Sequence, residues 1–296
     1  MEAGMRRAGL NYPFMFVVPV LVIYIFFFIV PTVSGFWFSL TDWNSNSNDI
    51  KFVGFRQFSE VLRNPNIAKS AFNTFIYAME TTVFKNLFGL FLAVILNSKI
   101  RSKNALRAVF FSPAILNVVA MGLIFQGLLN PFTGFVNNTL RKLGLDALAL
   151  RWITDPKLAI HCVSAMEVWR ATGIAMVIYL AGLQGISREY LEAAEIDGAG
   201  KLQVFRYITL PLLAPAITIN VLLSLIYGFR MFEVIYFLTQ GGPGYASEVI
   251  ITMAYRYMGM GLFGYSAAIN VMLVLFIICI SIPILNIMRK QESQDV

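Results

Sequence analysis

The residues able to do chemistry in this sequence are few, and most sit in apolar surroundings. Glu80 and Lys85 fall in one hydrophobic stretch, Glu167 and Arg170 in a second, Arg230 and Glu233 in a third. The last two pairs are spaced i,i+3, which puts both members on one helix face and allows an intrahelical ion pair. Charges at membrane depth are costly and face a bundle interior or an aqueous cavity. Beside the ion-pair reading stands a second one, a polar path for a hydroxyl-rich solute that needs hydrogen-bonding groups and aromatic faces. Asn220, Tyr227, Arg230, Glu233 and Asn270 are the candidates for that path.

Enzyme chemistry finds little support. The sequence has a single histidine, His161, which at the outer end of its apolar segment reads as an interfacial side chain. The two cysteines, Cys162 and Cys279, both lie in apolar runs and read as small buried hydrophobes, with neither a disulfide framework nor a thiolate cluster indicated. No metal site, no nucleophile–base spacing and no GxxxxGK[ST] phosphate loop is present, so the chain is not expected to hydrolyse ATP by itself.

The elements that hold these residues are membrane helices. Of 296 residues, 58% are hydrophobic and 13% charged, against about 25% charged in a soluble domain; the mean hydropathy is +0.70. Six segments are long and apolar enough to cross a bilayer, near 13–38, 71–97, 107–130, 158–183, 211–239 and 262–288. This is an all-α, polytopic membrane protein, with a terminus at 1–12, one membrane domain over 13–290 and a tail at 291–296. PFMFVVPVLVIYIFFFIVPTVSGFWF follows Arg6 and Arg7 but is too long for a signal-peptide core and lacks a cleavage site, so it reads as a retained span. Prolines at 19, 31, 113, 211 and 215 kink several spans, which membrane helices tolerate.

Basic residues set the orientation. Lys99, Arg101, Lys103 and Arg107 crowd one short connection without an acid, Arg6 and Arg7 precede the first span, and Arg289 and Lys290 follow the last. With six spans all three clusters fall on one side, which places both termini in the cytoplasm. The net charge of +7 is thereby assigned to membrane topology, and no nucleic-acid partner is expected. The connections near 39–70 and 131–157 then face outward.

The same topology puts 184–210 in the cytoplasm, and this connection holds one of the most polar runs of the chain, EAAEIDGAGKLQVFRYITLPLLAP. Ser187 is a helix N-cap, with Glu189 and Glu192 suited to the first turn. The helix should stop at Asp197-Gly198. A second helical pattern follows through Leu202, Phe205, Ile208 and Thr209 and runs into the membrane. Ala193, Ala194, Gly198, Ala199 and Gly200 are small enough for another protein's backbone to come close.

This run resembles the EAA loop of ATP-binding-cassette importer permeases, in Glu192, Ala193, Ala194, Asp197, Gly198, Ala199, Phe205, Ile208, Leu210, Pro211 and Pro215. The wider chain is similar to sugar-transporting permeases of the maltose type in FNTFIYAM, GLFLAVILNSKIRSKNALRAVFFSP, YLAGLQGI and FLTQGGPGYASEV. TQGGPG is especially like the subunit that pairs with a second, related permease. Two departures are Phe125, where many relatives carry Trp, and a short first external loop that excludes the large extra domain of some relatives.

The resemblance implies the type I importer permease fold in a bacterial or archaeal inner or plasma membrane. It implies an assembly with a second homologous permease, two cytoplasmic ATPases and an extracellular solute-binding protein, carrying a sugar-class substrate among membrane lipid. ATP would be bound by the ATPases, so no cofactor is expected in this chain. Glu192, Ala193, Ala194, Asp197, Gly198 and Ala199 would form the ATPase-coupling element. The alternative class is an ion-coupled secondary carrier, which also uses intramembrane charges and broken helices but has no need of an EAA loop.

Overall fold

In the computed structural model the described residues are 17–46, 49–98 and 100–294, with 287–294 as backbone only. The expectations that rest on residues 1–16, on Lys99, on the Arg289 and Lys290 side chains and on the last two residues lie outside this set. The described residues are almost wholly helical, with a lone antiparallel bridge between Thr41 and Phe52.

Four helices are long and apolar enough to span a membrane: α1 (Val18–Ser39), α3 (Pro65–Asn97), α7 (Ala159–Gly185) and α13 (Phe263–Gln294, apolar to Asn286). Two bent pairs raise the number to six if each counts as one span. The first is α4 (Lys103–Ile115) with α5 (Val118–Leu128), bent by 93°, and the second is α9 (Lys201–Leu212) with α10 (Ala214–Phe229), bent by 67°. Shorter helices are α2 (Arg56–Arg63), α6 (Phe135–Lys142), α8 (Arg188–Ile196), α11 (Glu233–Leu238) and α12 (Ile250–Gly259).

The breaks follow from local chemistry. α4 carries Pro113 near its end, Leu116 is extended, and the Asn117 side chain then accepts from the amides of Val119 and Ala120 to start α5. The expected single span at 107–130 is therefore divided in two. Before Pro31 and again before Pro211 the helix widens into a single π turn, at Ile25–Ile29 and Phe205–Thr209. A proline ring collides with the carbonyl four residues back, and a π turn moves that carbonyl aside. The apolar stretch expected at 211–239 begins at the end of α9, fills α10 and finishes in α11, because α10 stops at Phe229 and α11 opens only at Glu233.

α3 and α7 form the most extensive helix contact, and α10 lies against α3. The fit depends on small residues: a Cβ on Gly89 would come within 2.7 Å of the Ala175 Cβ, and one on Gly228 within 2.9 Å of the Ala78 Cα. In a bilayer, where lipid is as apolar as leucine, such close approach is a main source of helix association. At the α8 end, Ala93, Leu96, Met176, Tyr179, Leu183 and Leu213 form one buried cluster. At the other end Val61, Ile67, Met253, Ala254, Ala268 and Ile269 form another. α1 is exposed along almost its whole length. Cys279 is exposed on α13, and Cys162 is half-buried, with its thiol donating to Trp152 O at 3.1 Å; the expectation of two buried cysteines is corrected accordingly.

Candidate functional site

Polar residues gather, among other places, in the connection after α7 and in a groove between α3, α7 and α10. In the connection, the Ser187 hydroxyl accepts from the Glu189 amide and opens α8. α8 ends in a complete Schellman motif: the Gly198 amide donates to Glu195 O at 3.1 Å and the Ala199 amide to Ala194 O at 2.9 Å. Gly198 has φ +79°, a conformation that needs glycine, and a Cβ there would meet nothing within 4 Å. Its constraint is thus purely of the backbone. The chain restarts at Gly200, whose amide donates to the Gln203 side chain at 2.8 Å, and α9 follows.

Glu192, Ala193, Asp197 and Gly198 are exposed, Ala199 is half-buried and Ala194 is buried. Around them stand exposed apolar side chains, with Ile196 at 85% and Leu202 at 78% exposure. This unit lies at the same end as the basic α3–α4 connection, where the Arg107 guanidinium donates to Leu96 O at 2.8 Å.

The groove has a volume of about 380 Å³ and lies near the middle of its three helices. Its polar lining is Lys85, Glu167, Arg170, Asn220, Ser224 and Tyr227. Glu167 accepts from Arg170 twice, Nε to Oε2 at 2.8 Å and an η nitrogen to Oε1 at 3.0 Å, while Lys85 Nζ stands 3.8 Å from Oε1. The i,i+3 pair expected on one helix is therefore joined by a cation from another. Beneath, the Tyr179 hydroxyl donates to Asn86 Oδ1 at 2.5 Å, and Asn86 Nδ2 donates to Ser224 at 3.3 Å.

Of the five candidates for the solute path, Asn220 and Tyr227 line this groove together. Asn220 is buried and donates to Ala175 O at 3.2 Å, whereas the Tyr227 ring is exposed. Arg230 and Glu233 lie past the groove, one at the end of α10 and the other opening α11. No ion pair joins these two, because the helix break between them removes the i,i+3 geometry. Asn270 lies elsewhere, in a cleft between α1 and α13 with Pro31, Phe36 and Trp43. Reading by spacing assigned Lys85, Glu167 and Arg170 no place on the path, although their charge at membrane depth was the available signal.

At the far end, TQGGPG forms a tightly bonded loop. Asn73 donates to Tyr245 O at 3.1 Å and Glu248 O at 2.9 Å, and Lys69 donates to Gly244 O at 3.0 Å. Buried Glu248 pairs with Arg256 at 2.6 Å. Sequence spacing missed this pair, whose members sit in a loop and a separate helix.

Residues 85–291 match the family described as binding-protein-dependent transport system inner membrane component. The chain belongs to this family. The chain is similar to a probable ABC transporter permease of Pyrococcus horikoshii, 33% identical over 98% of this chain and 100% of that protein. The trehalose/maltose transport system permease MalF of Thermococcus litoralis is 31% identical, over 97% of this chain and 96% of its own. The arabinooligosaccharide permease AraP of Bacillus subtilis is 31% identical, over 91% and 86%. Among solved structures, a bacterial ABC transporter that imports the acidic polysaccharide alginate has a chain of the same fold, with TM-score 0.83, 22% identity and 94% of each chain covered. This permease is thus a multi-pass membrane component of an importer, a transport part and not a catalytic one.

Proposed function

We propose that this permease is one half of the membrane path of an ATP-driven sugar importer, and that α8 is the element through which ATPase subunits move it. The other half is a second homologous permease, an extracellular binding protein delivers the solute, and two cytoplasmic ATPases bind the ATP, so this chain needs no cofactor of its own. The observation that carries the reading is α8 itself, a capped and Schellman-closed helix with exposed Glu192, Ala193 and Asp197 directly after α7. Large exposed apolar side chains beside it, Ile196 and Leu202 among them, suit a soluble partner's cleft. α7 runs from this unit to Glu167 and Arg170, so a shift of α8 is carried along one continuous helix to the groove. Coupling needs an element whose position differs between two global states, and a rigid helix joined directly to a span meets that need.

The basic α3–α4 connection lies at the α8 end, which supports a cytoplasmic placement of that end and of both termini. Sugar-named relatives support the substrate class. The groove supports the path with a buried amide, a hydroxyl and an exposed tyrosine ring. Reconstitution with the ATPase subunits and binding protein in proteoliposomes tests this: sugar uptake should require ATP. Uptake driven by an ion gradient with no ATPase present would overturn it.

A further inference from the structure

Lys85 is the one groove cation that its protein neighbours leave loosely held. It is 4% exposed, and its ammonium reaches Glu167 only at 3.8 Å, outside hydrogen-bond range. Glu167 meanwhile commits both oxygens to Arg170. Bidentate guanidinium–carboxylate pairs are strong and geometrically fixed, so this one has little to spare for the lysine. An ammonium with three donors that lines the groove, held among the described residues by one ion contact at 3.8 Å, keeps donors to spare. An anion brought in by a ligand takes them up.

The charges lining the groove are two cations, Lys85 and Arg170, and one carboxylate, Glu167. Glu233, exposed at the start of α11 outside the lining, is the next carboxylate toward Arg170. We infer that Lys85, with Arg170 beside it, receives an anionic group on the solute, and that the sugar passing this groove is acidic, bearing a carboxylate or a phosphate. The inference rests on the reading of the groove as part of a sugar path. The remaining lining fits such a solute: Asn220 and Ser224 offer an amide and a hydroxyl, and the Tyr227 ring an aromatic face for the sugar ring. A lysine suits a moving ligand, since its ammonium rotates on a flexible stem and does not demand one planar approach.

The test uses the complete importer with its cognate binding protein. The binding protein is offered a pool of neutral oligosaccharides, uronate oligosaccharides and sugar phosphates, and what it retains is identified by mass and then used for uptake in proteoliposomes. The expected result is retention and ATP-driven import of a uronate or a sugar phosphate, the mass telling the two apart. Lys85→Met should lower uptake at sub-saturating solute by at least about tenfold, the loss of roughly one ion contact, and Lys85→Arg, which keeps the charge, should lower it less. Lys85→Gln provides the same comparison if the methionine variant fails to assemble. Import of a neutral sugar overturns the inference and leaves the importer reading standing, as does unchanged uptake of an acidic sugar by both neutral variants. Absence of any ATP-driven sugar import overturns both.

Discussion

Glu80 and His161 meet at 2.6 Å between Oε1 and Nδ1, across 81 residues of sequence, and tie the middle of α3 to the first turn of α7. They sit at an apolar cleft of about 790 Å³ lined by Phe84, Phe88, Val109, Phe110 and Trp169. The side chains are 26% and 49% exposed, so the contact is neither dry nor fully solvated. A double-mutant cycle with Glu80→Gln and His161→Gln, read by unfolding in detergent, should give a coupling of about 1 kcal/mol. The same cycle at Arg56–Glu60, an i,i+4 pair at 2.9 Å with side chains 72% and 48% exposed, should give about 0.3 kcal/mol or less.

At Gly198 the backbone alone sets the requirement. A φ of +79° is closed to proline, whose ring holds φ near −65°. Gly198→Pro should insert and accumulate in the membrane like wild type yet lose ATP-driven uptake, because the Schellman closure cannot form. Gly198→Ala meets no atom within 4 Å, so its cost is only the left-handed conformation, about 1 kcal/mol. It should retain partial uptake. Membrane-fraction abundance and uptake measured on the same preparations separate insertion from coupling.

The contrast between Gly198 and Glu80 shows which features were legible in the sequence. Ser187, Asp197 and Gly198 could be assigned because caps and turns are decided within a few residues, and the helix they predict is Arg188–Ile196. Four of the expected apolar segments are continuous helices long enough to cross a membrane, legible from hydropathy for the same reason of locality. Partners between helices were not: i,i+3 spacing suggested Arg230–Glu233, but α10 ends at Phe229 and separates them, while Lys85 and Glu80 found partners on α7 that no spacing rule reaches. The same holds for the groove, where Asn220 and Tyr227 join residues of two other helices while Asn270 falls between α1 and α13. The 93° bend after Ile115 was only half legible, since Pro113 announces a kink but the extended Leu116 and the Asn117 cap set its size.

Glu248 offers a sharper energetic test than any exposed pair. It is 1% exposed, its carboxylate takes a 2.6 Å hydrogen bond from Arg256, and it packs so closely under Gly241 that a Cβ there would strike it. Removing Arg256, whose own side chain is 39% exposed, leaves the buried Glu248 carboxylate without its partner, which costs about 2–3 kcal/mol, less than for a pair buried on both sides. Arg256→Ala should therefore lower the unfolding midpoint in detergent markedly. Glu248→Gln combined with Arg256→Ala should recover part of the loss, because the buried charge goes with its partner.

Gly228 links packing to the groove. A Cβ there would meet the Ala78 Cα at 2.9 Å, the Ala78 Cβ at 3.1 Å and the Thr81 hydroxyl at 3.3 Å, and the first of these is backbone that cannot rotate away. Gly228→Ala should cost about 1–3 kcal/mol through overpacking, even though alanine is the better helix former by about 1 kcal/mol. Gly35→Ala, on exposed α1 with nothing within 4 Å, keeps only the helix-propensity gain and should be neutral or slightly stabilising. Opposite signs for two identical substitutions, measured by thermal unfolding in one detergent, would isolate the helix contact as the cause. α10 also carries Asn220, Ser224 and Tyr227 into the groove, so pushing it off α3 should widen the gap across which Ser224 accepts from Asn86 at 3.3 Å. Uptake by Gly228→Ala should consequently fall by more than the loss of folded protein accounts for, whereas equal losses in both would restrict Gly228 to a packing role.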